Sequence, residues 1–167
     1  MSDVYFSIGS NLGDRKISLE KAVFYIEKII GKIIKTSSVF ESEPWGVDYK
    51  EKYLNQVLLC QTILSPVSVL NEILKIEKLI GRKKREVKYE SRIIDIDILF
   101  YDNQCINTKS LVVPHPLLHK RKFVLAPLNE INNKFIHPIF NKSIKQLLNK
   151  CSDNLKLEKI NNTEKKQ

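Results

Sequence analysis

Residues 92–99 read RIIDIDIL, an isoleucine-rich run carrying two carboxylates one residue apart. Its near-continuous β-branched character predicts a buried strand. Side chains alternate along a strand. Asp95 and Asp97 therefore share one face with Ile93 and Leu99, and Ile94, Ile96, Ile98 and Phe100 take the other. The aspartate Cα atoms then lie roughly 6.8 Å apart. Two full negative charges at that separation repel by about 2.4 kcal/mol at an effective dielectric constant near 20. A half-buried sheet does not tolerate that without a cation between them.

The segments around this strand set the fold class. VYFSI (4–8) predicts a first strand, and the turn GSNLGD follows. Leu19, Ala22, Val23, Ile26, Ile29 and Ile30 recur at helical spacing, with Gly31 as the stop. Residues 32–41 are β-rich, and YLNQVLLCQTIL (53–64) predicts another strand. Ser65-Pro66 is a capping serine followed by proline at the first helical position, and the helix runs through Leu70, Ile73, Leu74 and Ile80 to Gly81. The Asp-bearing strand closes a β-α-β-β-α-β order. That order predicts a ferredoxin-like α+β fold, a three-layer αβα sandwich around a mainly antiparallel sheet. Beyond the turn at Asp102-Asn103 come short strands, the segment PHPLLHKRKFVLAPL (114–128) and a last helix around 143–150. One domain is expected over residues 1–158, with a disordered Lys/Asn-rich tail at 159–167; the last dozen residues, from Lys156, have the composition of a solvated, frayed end.

The 167 residues are 43% hydrophobic and 28% charged, with 5 glycines and 6 prolines, a globular composition. The formal net charge of +9 favours an anionic partner, although much of the lysine is spread along the chain. Cys60, Cys105 and Cys151 are too few and too scattered for a disulfide framework, so a reduced, cytoplasmic protein is expected. No secretory signal or membrane-length apolar segment is legible. With no apolar surface stripe in view, a monomer is expected.

Asp95 and Asp97 are too few for a closed metal site. They suit Mg²⁺, which is often held by one or two carboxylates plus substrate phosphates; the alternative is an Asp face that simply meets solvent. RKKREVKYESR (82–92) holds six basic and two acidic residues. Arg82 and Arg92 could neutralise a transferring phosphate there, whereas Lys83 and Arg85 fit a solvated charge run. Neither GxxxxGK[ST] nor GxGxxG occurs. GSNLGDR could favour an anion before a helix or be a plain turn. Glu77, on the stripe of Ile73, Leu74 and Ile80, is expected at the stripe's edge reaching solvent, with a ligand role as the other reading. His115, between two prolines, suits a fixed hydrogen-bond donor to phosphate; zinc spacing is absent. By periodicity alone Tyr53 and Phe123 are core aromatics.

SIGSNLGDR (7–15), SSVFESEPWG (37–46), YLNQV (53–57), EKLIGRKKR (77–85), RIIDIDILFYD (92–102) and VPHPLLHKRKFVLAPLNEI (113–131) together resemble the 6-hydroxymethyl-7,8-dihydropterin pyrophosphokinases. The resemblance covers about residues 4–138. It implies transfer of the β,γ-pyrophosphate of ATP to the pterin hydroxymethyl group in folate biosynthesis, with AMP released. It implies that Asp95 and Asp97 bind two Mg²⁺ ions bridging the ATP phosphates. Asp97 or its metal would help the hydroxyl lose its proton, while Arg82 and Arg92 would stabilise developing charge. The nucleotide side would further include Glu77, Lys84, Tyr89, His115 and Arg121. The pterin would stack between Tyr53 and Phe123 and bond Asn55, with Ser42, Pro44 and Trp45 adding contacts.

The departures fall mainly in one loop. Tyr89-Glu90-Ser91 stands where Trp-Gly-Pro is common, and Lys84 where arginine is usual. Lys84 cannot make a bidentate contact, so closure of the 82–92 loop is expected to be less firm. Proline also follows His115, where some relatives carry tyrosine. A basic nucleic-acid-binding ferredoxin-like module is the alternative, although the strands lack the aromatic RNA-recognition motif. A DxD glycosyltransferase would need a longer chain. ATP and the pterin are the expected partners, with no nucleic acid and no membrane.

Overall fold

The computed structural model describes residues 1–46, 51–83 and 91–161. Its elements are β1 (Ser2–Ser10), α1 (Arg15–Tyr25), β2 (Lys32–Thr36), β3 (Phe40–Ser42), β4 (Tyr53–Thr62), α2 (Pro66–Ile80) and β5 (Asp95–Tyr101), then β6 (Ile106–Asn107), β7 (Val112–Val113), α3 (Lys122–Asn132), α4 (Ile144–Lys150) and β8 (Leu157–Lys159). The main sheet runs β5-β1-β4-β3-β8, with β2 also beside β4, and every pairing in it is antiparallel. The expected ferredoxin-like order is present, with its second strand broken into β2 and β3.

One core layer packs Leu19 and Ala22 of α1, Ile26 just after it, and Val69, Ile73 and Ile76 of α2 against Val4, Phe6, Ile8, Ile96 and Ile98. The opposite layer packs Val124, Leu125 and Leu128 of α3 with Ile144 and Leu147 of α4 against Tyr5, Val57, Leu59 and Phe100. Ser65 caps α2, accepting a bond from the Ser68 N–H, and Gly81 ends it at φ 118°, the left-handed region that favours glycine. After α1 a π-helical turn, Ile26–Ile30, leads to Gly31. A Cβ at Gly31 would overlap the backbone of Gln61, so only glycine lets this corner lie against β4.

Three expectations change. Tyr5 pairs with Phe100 but Phe6 with Ile98, which leaves Leu99 as a bulge residue. Leu99 and Phe100 consequently pack on the same side, and Phe100 does not share the face of Ile96 and Ile98. Residues 122–132, to which the pattern assigns no element, form a helix despite Pro127 at its centre. Burial of Val124, Leu125, Leu128 and Ile131 on one stripe outweighs the missing N–H. Finally, Leu157–Lys159 is a sheet strand rather than part of a frayed end, and the Ile160 N–H donates to the Val39 carbonyl at 2.8 Å.

Candidate active site

β1, β4 and β5 build the floor of a cavity of about 320 Å³ on the α3 side of the sheet. Antiparallel register sets Asp95 opposite Gly9 and Gly9 opposite Asn55. The neighbouring row runs Asp97, Ser7, Val57. Asp95 therefore sits beside Asn55 across one residue that has no side chain, and the floor between those two is open, while Asp97 lies one row along, across Ser7. Asn55 Nδ2 donates to Ser42 Oγ at 2.8 Å, and Ser42 pairs with Tyr53 in the β3–β4 ladder.

The walls come from two other segments. Trp45 follows β3, while His115, Leu117, Arg121 and Phe123 lead into α3. The Arg121 guanidinium lies 4.9 Å from the Trp45 ring centre and 5.7 Å from that of Phe123. It joins the aromatic wall to the acidic floor, a cation–π arrangement.

Electrostatics at the floor are asymmetric. Asp95 Oδ1 receives Arg92 Nη1 at 2.6 Å and Arg82 Nη1 at 3.3 Å. Arg82 also pairs with Glu77. Glu77 is 3% exposed, so it does not reach solvent at a stripe edge, and it does not line the cavity. Burial raises its carboxyl above the usual range, while the Ile96 N–H and Arg82 pull it down. Its Oε1 accepts the Ile96 N–H at 2.9 Å, so α2 fastens the residue lying between the two aspartates. Glu77→Ala is expected to cost about 1–3 kcal/mol of stability by orphaning that N–H. Glu77→Gln, which keeps the carbonyl acceptor, should lose less. Urea unfolding of both variants checks this.

Asp97 is raised by burial and by the neighbouring Asp95, partly offset by Arg121. His115 Nε2 stands 3.9 Å from Asp97 Oδ2. His115 Nδ1 accepts the Leu117 N–H at 3.1 Å, so the proton of the neutral ring sits on Nε2. Burial, then Arg121, pulls this imidazole down to about 4. At neutral pH it is an uncharged donor.

The structure thus gathers Asp95, Asp97, Arg92, His115 and Arg121 with Ser42, Trp45, Tyr53, Asn55 and Phe123 in one cavity. Arg82 and Glu77 stand behind Asp95, and Pro44 is not among the lining residues. Lys84 and Tyr89 lie outside the described residues. Ser7 and Gly9 escaped the sequence reading, although small and polar positions alternating in VYFSIGS mark them. Asn11 had no such signal. Its N–H donates to the Arg92 carbonyl at 3.0 Å and its Oδ1 accepts the Arg92 N–H at 2.6 Å, pinning the strand arginine to the end of β1.

The family model described as 7,8-dihydro-6-hydroxymethylpterin-pyrophosphokinase (HPPK) matches residues 5–133, from β1 to the end of α3. The chain belongs to this family. It is an ATP-dependent pyrophosphokinase of folate biosynthesis that acts on hydroxymethyldihydropterin. An HPPK relative from Aquifex aeolicus (strain VF5), 2-amino-4-hydroxy-6-hydroxymethyldihydropteridine pyrophosphokinase, is 46% identical over 146 residues, 87% of this chain and 90% of that protein. The Bacillus subtilis (strain 168) protein of the same name is 39% identical over 128 residues, 76% of each. Among solved structures, an HPPK-DHPS in complex with substrates superposes with a TM-score of 0.77 at 17% identity, over 89% of this chain and 43% of that one. That likeness bears on the fold, and this chain spans less than half of the fused protein.

HPPK chemistry uses ATP and so calls for a divalent cation. Among the described residues no cluster of three His, Cys, Asp or Glu side chains could cage a metal. No described helix is long and apolar enough to cross a membrane. The comparisons give no support to the nucleic-acid-binding alternative.

Proposed function

We propose that the cavity is the site of the transfer, with ATP phosphates over Asp95 and Asp97 and the pterin between Tyr53 and Phe123. The β,γ-pyrophosphoryl group then passes intact to the pterin hydroxymethyl oxygen, and AMP leaves. One observation carries this reading. The Asp95–Gly9–Asn55 row places an acidic floor and an amide-bearing aromatic slot in a single cavity, one residue apart.

Two Mg²⁺ ions fit the donor set. Asp95 and Asp97 offer only oxygen, share one face, and are 27% and 37% exposed at their side chains, leaving room for phosphate oxygens and water in the remaining positions. When bound, the ions supply neutralisation of the phosphates and polarisation of the attacking hydroxyl. Asp97, raised toward its neutral form in the protein alone, is ionised beside such a cation and helps take the hydroxyl proton. Arg92 and Arg82 leave Asp95 for the phosphates as these arrive, and Arg121 and the Nε2–H of His115 contact the transferred group from the opposite wall. Asn55, held by Ser42, reads the pterin's polar edge, which would reject a flat ring lacking matching groups.

Identification of the nucleotide product tests the reaction. With Mg²⁺, ATP and 6-hydroxymethyl-7,8-dihydropterin, AMP is expected to appear only when the pterin is present. ADP would mean single-phosphoryl transfer. Absence of any pterin-dependent product would overturn the reading.

A further inference from the structure

Arg15 opens α1, where no acidic residue occupies the first turn, and a cation there runs against the helix dipole. Its position therefore answers to tertiary contacts. Nη2 meets Glu41 Oε2 at 2.8 Å, and Nη1 donates to the Lys52 carbonyl at 2.9 Å. One guanidinium thereby ties together α1, the middle of β3 and the residue that precedes β4. The contacts are half-buried, with the two side chains 31% and 21% exposed.

Glu41 and Lys52 are the chain neighbours of Ser42 and Tyr53, which face each other as the last rung of the β3–β4 ladder. β3 is only three residues long, and the strand on its other side, β8, is equally short and sets Ser42 opposite Leu157, so the terminal rung has few ladder bonds to hold it. That rung matters at the floor of the cavity. Ser42 Oγ orients Asn55 Nδ2, and the Tyr53 ring lines the slot.

We infer that Arg15 is a positioning residue for the pterin end of the site, holding Ser42 and Tyr53 in place through Glu41 and Lys52. The inference rests on the pterin placement given under Proposed function. Arg15 does not line the cavity, and its contacts are to Glu41 and Lys52 whereas Asp95 is held by Arg92 and Arg82, so its effect is expected on one substrate. Only a planar fork reaches carboxylate and carbonyl together; lysine would keep at most one of the two contacts.

Steady-state kinetics of Arg15→Ala, Arg15→Lys and Tyr53→Ala, with thermal melts, provide the test. Arg15→Ala is expected to raise the pterin KM about tenfold, the equivalent of one lost charge-assisted hydrogen bond. Its kcat and ATP KM should stay within about twofold, and Arg15→Lys should fall between it and the wild type. An unchanged pterin KM in Arg15→Ala, with a raised one in Tyr53→Ala, would overturn the inference alone. Unchanged pterin KM in both would overturn the pterin placement and the inference with it. A parallel loss of kcat, both KM values and melting temperature would mark a general structural role and also overturn it.

Discussion

Asp97→Asn should lose pterin-dependent AMP formation by a factor on the order of 10²–10³ or more, the scale of removing a group that stabilises transition-state charge, yet the metal-free protein should become harder to unfold. The first effect follows from the role proposed for Asp97 as cation ligand and proton acceptor. The second follows from partial burial and the neighbouring Asp95 on the same strand face, which raise the Asp97 carboxyl in the folded state. A carboxyl with a raised folded pKa destabilises the fold once ionised, so the penalty is present above that pKa and fades as pH falls toward the unfolded value. Melts in EDTA should place Asp97→Asn above the wild type at pH 8, with the gap closing by pH 4. Loss of activity with a lower melting temperature at pH 8 would mean that Asp97 serves the fold, and full activity would remove it from the site. Both outcomes together would make Asp97 an instance of stability given up for function.

For Arg92→Ala, kcat is expected to fall by about 10²–10³ if, as proposed, its forked cation meets the developing phosphate charge. Arg92 Nη1 lies 2.6 Å from Asp95, and Asn11 fixes its backbone on both the N–H and the carbonyl. Truncation leaves that backbone anchor but removes the ion pair to Asp95, so a lower melting temperature is expected beside the lost turnover. Arg92→Lys should recover little, since an ammonium cannot form the two parallel bonds of a guanidinium. Single-turnover assays at saturating ATP would separate this from weakened binding. Turnover like the wild type in Arg92→Ala would remove the arginine from the transfer step.

Local pattern accounts for much of the architecture. The Ser65-Pro66 start and Gly81 stop delimit α2 as expected, and period-two alternation places both aspartates on one face of β5. Elsewhere local pattern misleads. Pro127 argues against a helix that burial nonetheless stabilises, and the alternation of Ile94, Ile96 and Ile98 would carry on to Phe100 where a bulge reverses it. A bulge arises from how two strands pair, and β5 alone carries no mark of its register with β1. Glu77 is the same problem in electrostatic form. Sequence periodicity brings it to the helical stripe and Arg82 stands just past the helix end, but only the docking of α2 on β5 supplies the Ile96 N–H that its buried carboxylate accepts.

The amino-acid sequence by itself determined the β-α-β-β-α-β order through residue 101, the two-carboxylate strand and the aromatic and basic groups that mark the family, because each depends on spacing within a few residues. Tertiary structure alone decided that Gly9 opens the floor between Asp95 and Asn55, that Asn11 holds Arg92, and that Arg15 ties Glu41 to Lys52. Those relations join residues tens of positions apart. They exist only once strand register and helix docking bring complementary donors, acceptors and charges within hydrogen-bonding distance.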